Sequence, residues 1–496
     1  MEVVPEPGHD HAAYSCRVLL QSSDIDRLRE ALTRAGYTSA GIEARLGPVA
    51  SAAAARHDFR EALRATTSGD PLDTLIRLFV CGQSEPEARI AAALDPLPVD
   101  TARAAGLIVG DQAGVDLEPY GHFWVLADLP AQPGRQLPSD HVLGVGGASS
   151  TLAGATIRRP VGTALDLGTG CGVQALHLSE HAQAVTVTDL SARALDFAAT
   201  NAALNGLSWE LLRGDLLEPV RDRRFDLVVS NPPFVVGPGL ATHTYRDSGR
   251  AGDGVCAELA ASGPHLLNPG GTIQFLANWV HVAGEDWEDR VAGWFAGTGM
   301  DVWAIQREVQ DPLDYVRLWL ADASEGHDPI RAAQWLDWFA HNNIEAVGFG
   351  VVTARLSGVD DPTVVCEDLR QQVEPPLGDR VAEWFDRRDW LRGNDALAAR
   401  YRLADGLQLR QEATMGDEGW AVDRQLLALP QGLRWVEEID PLILAMVSGC
   451  TGTLPMCDQL SLLAQAHEVP VESLEKVLMP VIDHLVERGM LIPCEP

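Results

Sequence analysis

Two short segments of this sequence carry the residue types that could do chemistry. One is Asn231-Pro232-Pro233-Phe234, which follows an apolar run. The amide oxygen of Asn231 and the carbonyl of Pro232 could accept both hydrogens of a planar NH2 group, because two prolines hold the backbone rigid. Both contacts would strengthen as positive charge develops on the nitrogen, and Phe234 could stack on the planar group. The segment therefore indicates chemistry on a weakly nucleophilic nitrogen.

The second segment is a glycine loop. Residues 163–167 are apolar, glycines follow at Gly168, Gly170 and Gly172, and a helical pattern begins at Val173. Glycine lets such a loop turn sharply, so that a ligand can lie against bare backbone next to the N–H groups of a helix. A glycine turn between a strand and a helix is common, so this loop alone is a weak indicator of binding.

The elements around these segments follow an α/β pattern. Open parallel sheets bind ligands at the carboxyl ends of their strands, and an acid about 20 residues after the glycines is typical of ribose recognition. The order of the runs therefore predicts a doubly wound parallel core. Three further apolar runs each end in a polar side chain, namely 184–188 before Asp189, 211–214 before Asp215 and 225–230 before Asn231.

These residues resemble the class I S-adenosylmethionine-dependent methyltransferases, in the branch with an Asn-Pro-Pro-aromatic motif. That branch includes release-factor glutamine methyltransferases and enzymes that methylate exocyclic amines of adenine or guanine. The resemblance covers residues 140–355 and implies a Rossmann-like, seven-stranded core that binds S-adenosylmethionine. The cofactor contacts that it implies are Asp166, Gly168, Thr169, Gly170, Gly172, Asp189, Leu190, Asp215, Leu216 and Asn231.

The resemblance also implies roles at the Asn-Pro-Pro-Phe segment and beyond it. Related enzymes have a loop after this motif that closes over the substrate, and the corresponding loop here is rich in charge. A solvated loop without a substrate role is the alternative, and the sequence leaves the two open. The predicted catalytic residues are Asn231, Pro232 and Phe234, and the predicted substrate contacts are Pro233, Tyr245, Arg246 and Asp247.

Two positions leave the substrate class open. Phe234 stands where glutamine and adenine enzymes often carry tyrosine, and Val235 follows where guanine enzymes often carry histidine. The target is therefore a glutamine of a translation factor or ribosomal protein, or a base amine in RNA. The net charge of −32 has no basic block and slightly favours protein, because phosphate contacts need Lys and Arg. The alternative from a different functional class is a regulatory protein whose core senses the cofactor but is catalytically inactive.

The cysteines and the apolar runs of the sequence indicate which cellular compartment the protein belongs to. Its 8 cysteines lie far apart without a C-x-x-C pair, which favours reduced thiols in a cytoplasmic protein and no metal site. The acidic start lacks the apolar stretch of a signal peptide. No apolar run is long enough to predict a membrane span.

The length favours two to four domains. The predicted helix at 99–105, its glycine and a return strand at 115–118 form a winged-helix-like pattern, which could recognise a substrate or simply pack. In the core, Asn201 and Asn205 are predicted to cap the helix 192–204, and tryptophans of a long insertion at 310–343 are predicted to be buried. The predicted segments are a helical, winged-helix-like domain at 1–130, a Gly/Pro-rich connector at 131–160, the methyltransferase-like core at 161–355 with an antiparallel seventh strand, and an α+β domain with a winged-helix-like end at 356–496.

Overall fold

The computed structural model describes residues 19–130, 137–239, 249–322, 328–417 and 419–494. The chain forms two compact units, of which the first comprises residues 1–153 and 159–369 and the second comprises 154–158 and 370–496. The division into four segments that the sequence suggested stays a prediction. Among the described residues, no helix is both long enough and apolar enough to cross a membrane.

In the described part of the first unit, helices come first along the chain. Ile25, Leu28 and Leu32 are buried at helical spacing, so one face of the first helix packs inward, and Gly36 ends that helix in the left-handed conformation. The helices are α1 (Ser22–Ala35), α2 (Ser39–Ala54), α3 (Arg60–Ala65), α4 (Pro71–Leu75), α5 (Glu87–Leu94) and α6 (Val99–Ala104), with a π-helical turn at Ile76–Val80.

Two small antiparallel hairpins follow α6. The first pairs β1 (Ile108–Val109) with β2 (Gln112–Ala113), and the second pairs β3 (Asp116–Tyr120) with β4 (Phe123–Ala127). The predicted return strand at 115–118 was therefore wrong as the partner of β1. The chain doubles back tightly before that point, since a Cβ on Gly114 would lie 2.2 Å from the carbonyl oxygen of Gly106. The winged-helix comparison itself stays a prediction.

Strands and helices then alternate along the chain. The strands are β5 (Val161–Leu167), β6 (Ala182–Asp189), β7 (Glu210–Arg213), β8 (Phe225–Ser230), β9 (Leu267–Val282), β10 (Asp301–Gln310), β11 (Ile344–Arg355) and β12 (Val364–Asp368). The helices are α7 (Gly147–Ala155), α8 (Val173–Leu178), α9 (Ala192–Leu204), α10 (Gly254–Leu266), α11 (Trp287–Trp294), α12 (Pro312–Asp322) and α13 (Pro329–His341), with a 3-10 turn at Glu218–Val220.

Within the described residues these strands form an 8-stranded sheet in the order β12-β10-β11-β9-β8-β5-β6-β7. Strands β9, β8, β5, β6 and β7 are parallel, whereas β11 is antiparallel to both of its neighbours. The predicted Rossmann-like core with an antiparallel seventh strand is confirmed. The prediction of seven strands missed β12, which joins β10 in parallel. Most of its side chains are only partly buried, so it lacks the apolar pattern of an inner strand.

Helix α9 holds strand β4 through two side-chain amides. Asn201 accepts the Leu126 N–H at 2.8 Å and donates to the carbonyls of Leu126 and Cys171 at 2.9 and 2.8 Å. One turn later, Asn205 accepts the Trp124 N–H and donates to the Trp124 carbonyl. Asn205 also caps α9, as predicted, through the Asn201 carbonyl. The predicted capping role of Asn201 was wrong, because its amide instead ties β4 to the glycine loop.

The insertion after β10 is a helical pair, α12 and α13, packed on β9 and β11. Tyr315 and Val316 of α12 and Trp335 and Phe339 of α13 are buried together with Val236, which follows the Asn-Pro-Pro-Phe segment. The predicted core role of the insertion's aromatic residues is confirmed for Trp335, which is 3% exposed. The buried cluster of the insertion therefore includes Val236, which lies two residues beyond the Asn-Pro-Pro-Phe segment.

The second unit has its own helices and strands. Its elements are α14 (Leu377–Gly393), β13 (Arg400–Leu403), β14 (Gln408–Gly416), β15 (Gly419–Ala428), β16 (Val436–Ile439), α15 (Pro441–Ser448), β17 (Thr451–Pro455), α16 (Met456–Ala466), α17 (Val471–Glu487) and β18 (Leu491–Pro493). In the described part of this unit the strands form two small sheets, with the orders β17-β13-β18 and β14-β15-β16.

Replacing Asn201 tests the attachment of β4. Asn201→Ala leaves buried backbone groups of β4 and the glycine loop without partners, so we expect the free energy of unfolding to fall by about 3 kcal/mol in urea denaturation. Asn394→Ala is the control, because within the described part of the chain the Asn394 amide makes one hydrogen bond, to the Trp390 carbonyl, and this bond is exposed. Its loss should cost less than about 0.5 kcal/mol. Equal effects of the two substitutions would contradict the assignment.

Candidate active site

Three parallel strands end side by side at one edge of the sheet. Leu167 of β5 pairs with Ser230 of β8, and the Ser230 Oγ donates to the Leu167 carbonyl at 2.8 Å. Gly168 and Asn231 therefore leave the sheet next to each other, while β6 ends on the other side of β5 at Asp189. The chain passes from β5 to β6 and β7 on one side and returns to β8 on the other. This is a topological switch point, where open α/β sheets bind ligands.

The three glycines of the loop have positive φ angles, 74° at Gly168, 56° at Gly170 and 95° at Gly172. A Cβ at Gly168 or Gly170 would meet no atom within 4 Å, so this backbone faces open space. A Cβ at Gly172 would lie 2.8 Å from the ring of Trp209. The first two glycines are thus placed to accept a ligand, whereas the third is required by packing.

Asp166 lies beneath the loop and is 1% exposed. Its Oδ2 accepts hydrogen bonds from the Thr169 hydroxyl at 2.6 Å and the Ala175 N–H at 3.0 Å. Its Oδ1 is buried without a hydrogen-bond partner among the described residues. Burial raises the pKa of Asp166 to about 7, although both hydrogen bonds act in the opposite direction. A buried oxygen that lacks a partner beside open backbone can receive a donor from a ligand.

One acid ends β6 and another follows β7. Asp189 accepts the Gly170 N–H through Oδ2 at 2.9 Å and the Ser191 N–H through Oδ1 at 2.8 Å, and burial nevertheless raises its pKa. Asp215 is exposed. Each acid is followed by a leucine, and Leu216 adopts a φ of 42°, which is uncommon for a residue with a side chain. The predicted cofactor residues after these two strands therefore lie at the open edge of the sheet.

The Asn-Pro-Pro-Phe segment forms a tight turn at this edge. The Oδ1 of Asn231 is buried and has no hydrogen-bond partner among the described residues. The Phe234 N–H donates to the Pro232 carbonyl at 2.7 Å, which leaves this carbonyl one lone pair without a donor among the residues that the structure describes. Phe234 is 9% exposed, and its ring meets the ring of Trp319 edge to face at a centroid distance of 6.0 Å. Phe234 therefore packs against Trp319 and exposes little of its ring to solvent.

The predicted substrate contacts Tyr245, Arg246 and Asp247 lie outside the described residues, so their role stays a prediction. Just after them, Arg250 forms an ion pair with Glu258 and lies 3.9 Å from Asp215. The end of this loop is thereby linked electrostatically to the acid after β7.

Two carboxylates that the sequence analysis did not single out lie beside the connector. Asp116 and Glu118 share one face of β3. Glu118 accepts the Val145 N–H at 3.1 Å, and a Cβ on Gly144 would lie 3.3 Å from the Asp116 carboxylate. Burial raises the pKa of Glu118, and burial and the Glu118 charge raise that of Asp116 to about 7. Burial raises the pKa of the Cys171 thiol in the glycine loop to about 12, and the charge of Glu118 acts in the same direction. The sequence signal that could have identified Asp116 and Glu118 is the occurrence of two acids at alternate positions ahead of a glycine-rich connector.

Residues 145–283 match the family model described as methyltransferase small domain. This range contains both the glycine loop and the Asn-Pro-Pro-Phe segment, so the resemblance seen in the sequence is confirmed for this part of the chain. Residues 34–118 and 382–493 match two models that are each described as a domain of unknown function, DUF7059 and DUF7782.

Similar curated proteins include methyltransferases of two kinds. A release factor glutamine methyltransferase of Xylella fastidiosa is 43% identical over 126 residues, which are 23% of this chain and 46% of that protein. A ribosomal RNA small subunit methyltransferase C of Salmonella arizonae is 31% identical over 211 residues, which are 40% of this chain and 58% of that protein. The chain thus spans about half the length of the curated relatives it matches.

Solved structures are also similar to part of the chain. A T. thermophilus 16S rRNA methyltransferase in complex with AdoMet and guanosine is 21% identical with a TM-score of 0.23. The similar region is 36% of this chain and 43% of that one.

Asp166→Asn tests the buried carboxyl through the pH dependence of stability. Asp166 has a pKa of about 7 in the folded protein against 3.8 for an ordinary aspartate, so the folded protein holds a proton that the unfolded chain releases. From about pH 5 to about pH 7.5 the wild-type protein should lose about 2 to 3 kcal/mol of stability relative to the variant in urea denaturation, because the amide does not titrate.

Asp226→Asn is the matched control for this measurement. The hydrogen bond from the Asn268 amide lowers the pKa of Asp226, so its contribution is present above the ordinary aspartate pKa and is lost only as the pH falls. The difference from the wild-type protein should therefore stay constant over the same pH range. A constant difference for Asp166→Asn as well would contradict the prediction.

Proposed function

We propose that this protein is an S-adenosylmethionine-dependent N-methyltransferase that acts on a planar NH2 group. The observation that carries the proposal is the pairing of Leu167 with Ser230, which makes Asn231 and Gly168 neighbours where the two strands leave the sheet. The Oδ1 of Asn231 is buried without a hydrogen-bond partner among the described residues, and the backbone of Gly168 faces open space. A cofactor cradle and an acceptor for an N–H group are then neighbours at one edge of the sheet. The match of residues 145–283 to the methyltransferase small domain supports the same conclusion.

The residues at this edge fit the proposed cofactor. Gly168 and Gly170 offer bare backbone with room for a ligand, and the Oδ1 of Asp166 is a buried acceptor without a partner among the described residues. We assign the amino-acid end of the cofactor to this loop, the ribose to Asp189 and the adenine to the surroundings of Asp215. When bound, S-adenosylmethionine supplies an electrophilic methyl group.

The chain's own residues then orient the target nitrogen. Asn231 accepts one N–H, and the remaining lone pair of the Pro232 carbonyl accepts the other. The turn closed by the Phe234 N–H keeps this carbonyl in place, and both contacts strengthen as the nitrogen becomes positive. Phe234 and Pro233 limit the space to a flat group. No strong base is needed, because the alkylated nitrogen is acidic enough to lose its proton to water.

The substrate class is proposed from the similar proteins and from charge. One similar protein is a release factor glutamine methyltransferase and another is a ribosomal RNA small subunit methyltransferase C, so we propose a substrate of the cytoplasmic translation apparatus. The net charge of −32 disfavours an extended phosphate footprint. We therefore place a glutamine side chain of a protein ahead of an exocyclic amine of RNA.

Transfer of labelled methyl groups tests the proposed activity. The purified chain should transfer label from S-adenosylmethionine to a cell extract, and protease treatment should release that label while nuclease treatment leaves it in place. Release by nuclease would reverse the order of the two substrate classes. Absence of transfer, together with retained binding of S-adenosylhomocysteine, would instead support a cofactor-sensing regulator.

Single substitutions separate chemistry from cofactor binding. Asn231→Ala should reduce label transfer by about 100-fold or more, because an acceptor for the developing charge is lost, and should change the Kd for S-adenosylhomocysteine far less than it changes the rate. Asp189→Ala should weaken that binding first. Asn268→Ala is the control, because Asn268 contacts Asp226 at the opposite edge of the same sheet. Full activity of Asn231→Ala would refute the site.

A further inference from the structure

We propose that Tyr315, in the helical insertion after β10, is a positioning residue that fixes the Asn-Pro-Pro-Phe segment for methyl transfer. The inference rests on the proposed function. Tyr315 lies outside residues 145–283, which match the methyltransferase small domain, so the family model does not include it. Its hydroxyl would act through the backbone of the segment, at a distance from the target nitrogen.

The hydroxyl of Tyr315 joins the segment to the sheet. The Val236 N–H, two residues after Phe234, donates to this hydroxyl at 2.7 Å. The side-chain amide of Asn278, on strand β9, donates to the same oxygen at 3.0 Å. Tyr315 is 0% and Asn278 is 1% exposed, so neither hydrogen bond competes with solvent. The position of Val236 is therefore set relative to β9, the neighbour of the strand from which the segment emerges.

A second contact comes from the same face of α12. Trp319, one helical turn after Tyr315, meets the ring of Phe234 edge to face, and the rings of Tyr315 and Trp319 lie 6.1 Å apart. One helix thus holds the segment at a backbone N–H and at an aromatic side chain. Rotation or translation of α12 would move both points together.

The helix is itself held firmly. The ring of Tyr315 packs edge to face on Phe339 of α13 at 6.0 Å and lies 5.5 Å from Phe349 of β11. Val316 and Leu320 of α12 are buried in the same cluster. The insertion is therefore packed firmly on the sheet, and this packing fixes the position of the Tyr315 hydroxyl relative to the turn.

These contacts give the segment one anchor at each end. At the start, the Ser230 hydroxyl donates to the Leu167 carbonyl and fixes the residue before Asn231. At the end, the Tyr315 hydroxyl fixes Val236. Between them lies the turn that would present the Asn231 amide and the Pro232 carbonyl. A displacement of about 1 Å in a reacting geometry can cost about 100-fold in rate, so loss of one anchor should affect transfer more than cofactor binding.

Tyr315→Phe tests the inference, because it keeps the ring and removes only the hydroxyl. With labelled S-adenosylmethionine and cell extract as acceptor, we expect the maximal rate of label transfer to fall by about tenfold to 100-fold. The cofactor concentration for half-maximal rate, and the Kd for S-adenosylhomocysteine, should change by less than about twofold, since Tyr315 is not among the residues assigned to the cofactor. Hydrogen exchange at the Val236 amide should become faster, because its acceptor is gone.

Tyr401→Phe is the matched control. Tyr401 is also 0% exposed, and its hydroxyl donates to the Ala396 carbonyl at 2.9 Å in the second unit. It should lose comparable stability and keep the maximal rate and the Val236 exchange unchanged. An unchanged rate or unchanged Val236 exchange in Tyr315→Phe would overturn the inference, as would an equal fall in rate for Tyr401→Phe. Full transfer by Asn231→Ala would instead overturn the proposed function, so the two failures are distinguishable.

Discussion

The site depends on the parallel pairing of β5 with β8. The bond from the Ser230 hydroxyl to the Leu167 carbonyl lies at the last paired position, so the register of the two strands decides which residues emerge together. A shift of one residue would turn the alternating side chains to opposite faces and would separate Asn231 from the glycine loop. The carboxyl edge of a parallel sheet therefore supplies the alignment, and the loops supply the chemical groups.

The local sequence was sufficient for the part of the fold that follows simple periodicity. The apolar runs 163–167, 184–188 and 225–230 correspond to inner strands with buried side chains, so composition and spacing predict them. Strand β12 was missed because its side chains are mostly half-buried and show no clear pattern. The pairing of β3 with β4 was missed because it depends on how tightly the chain turns near Gly114, which periodicity does not report.

The candidate site divides in the same way. Motifs located Gly168, Asp189 and Asn231, since each stands at the carboxyl end of a strand or directly after it. They could not separate the open glycines from Gly172, whose role depends on the ring of Trp209. Contacts such as that of Tyr315 with Val236 join residues far apart in the chain, and a single tyrosine in an amphipathic helix carries no sequence signal for its hydrogen bonds.

The attachment of β4 to α9 has a consequence for how this protein can change by insertion and deletion. The side-chain amides of Asn201 and Asn205 make hydrogen bonds to the backbone of β4 of the kind that a second neighbouring strand would make. The two amides stand one helical turn apart, and each accepts the N–H of one residue in β4. An extra residue between them would rotate one amide by about 100° around the helix axis. The four-residue spacing between Asn201 and Asn205 is therefore fixed. The residues between them can be substituted, but a residue cannot be inserted or deleted there without the loss of one contact to β4.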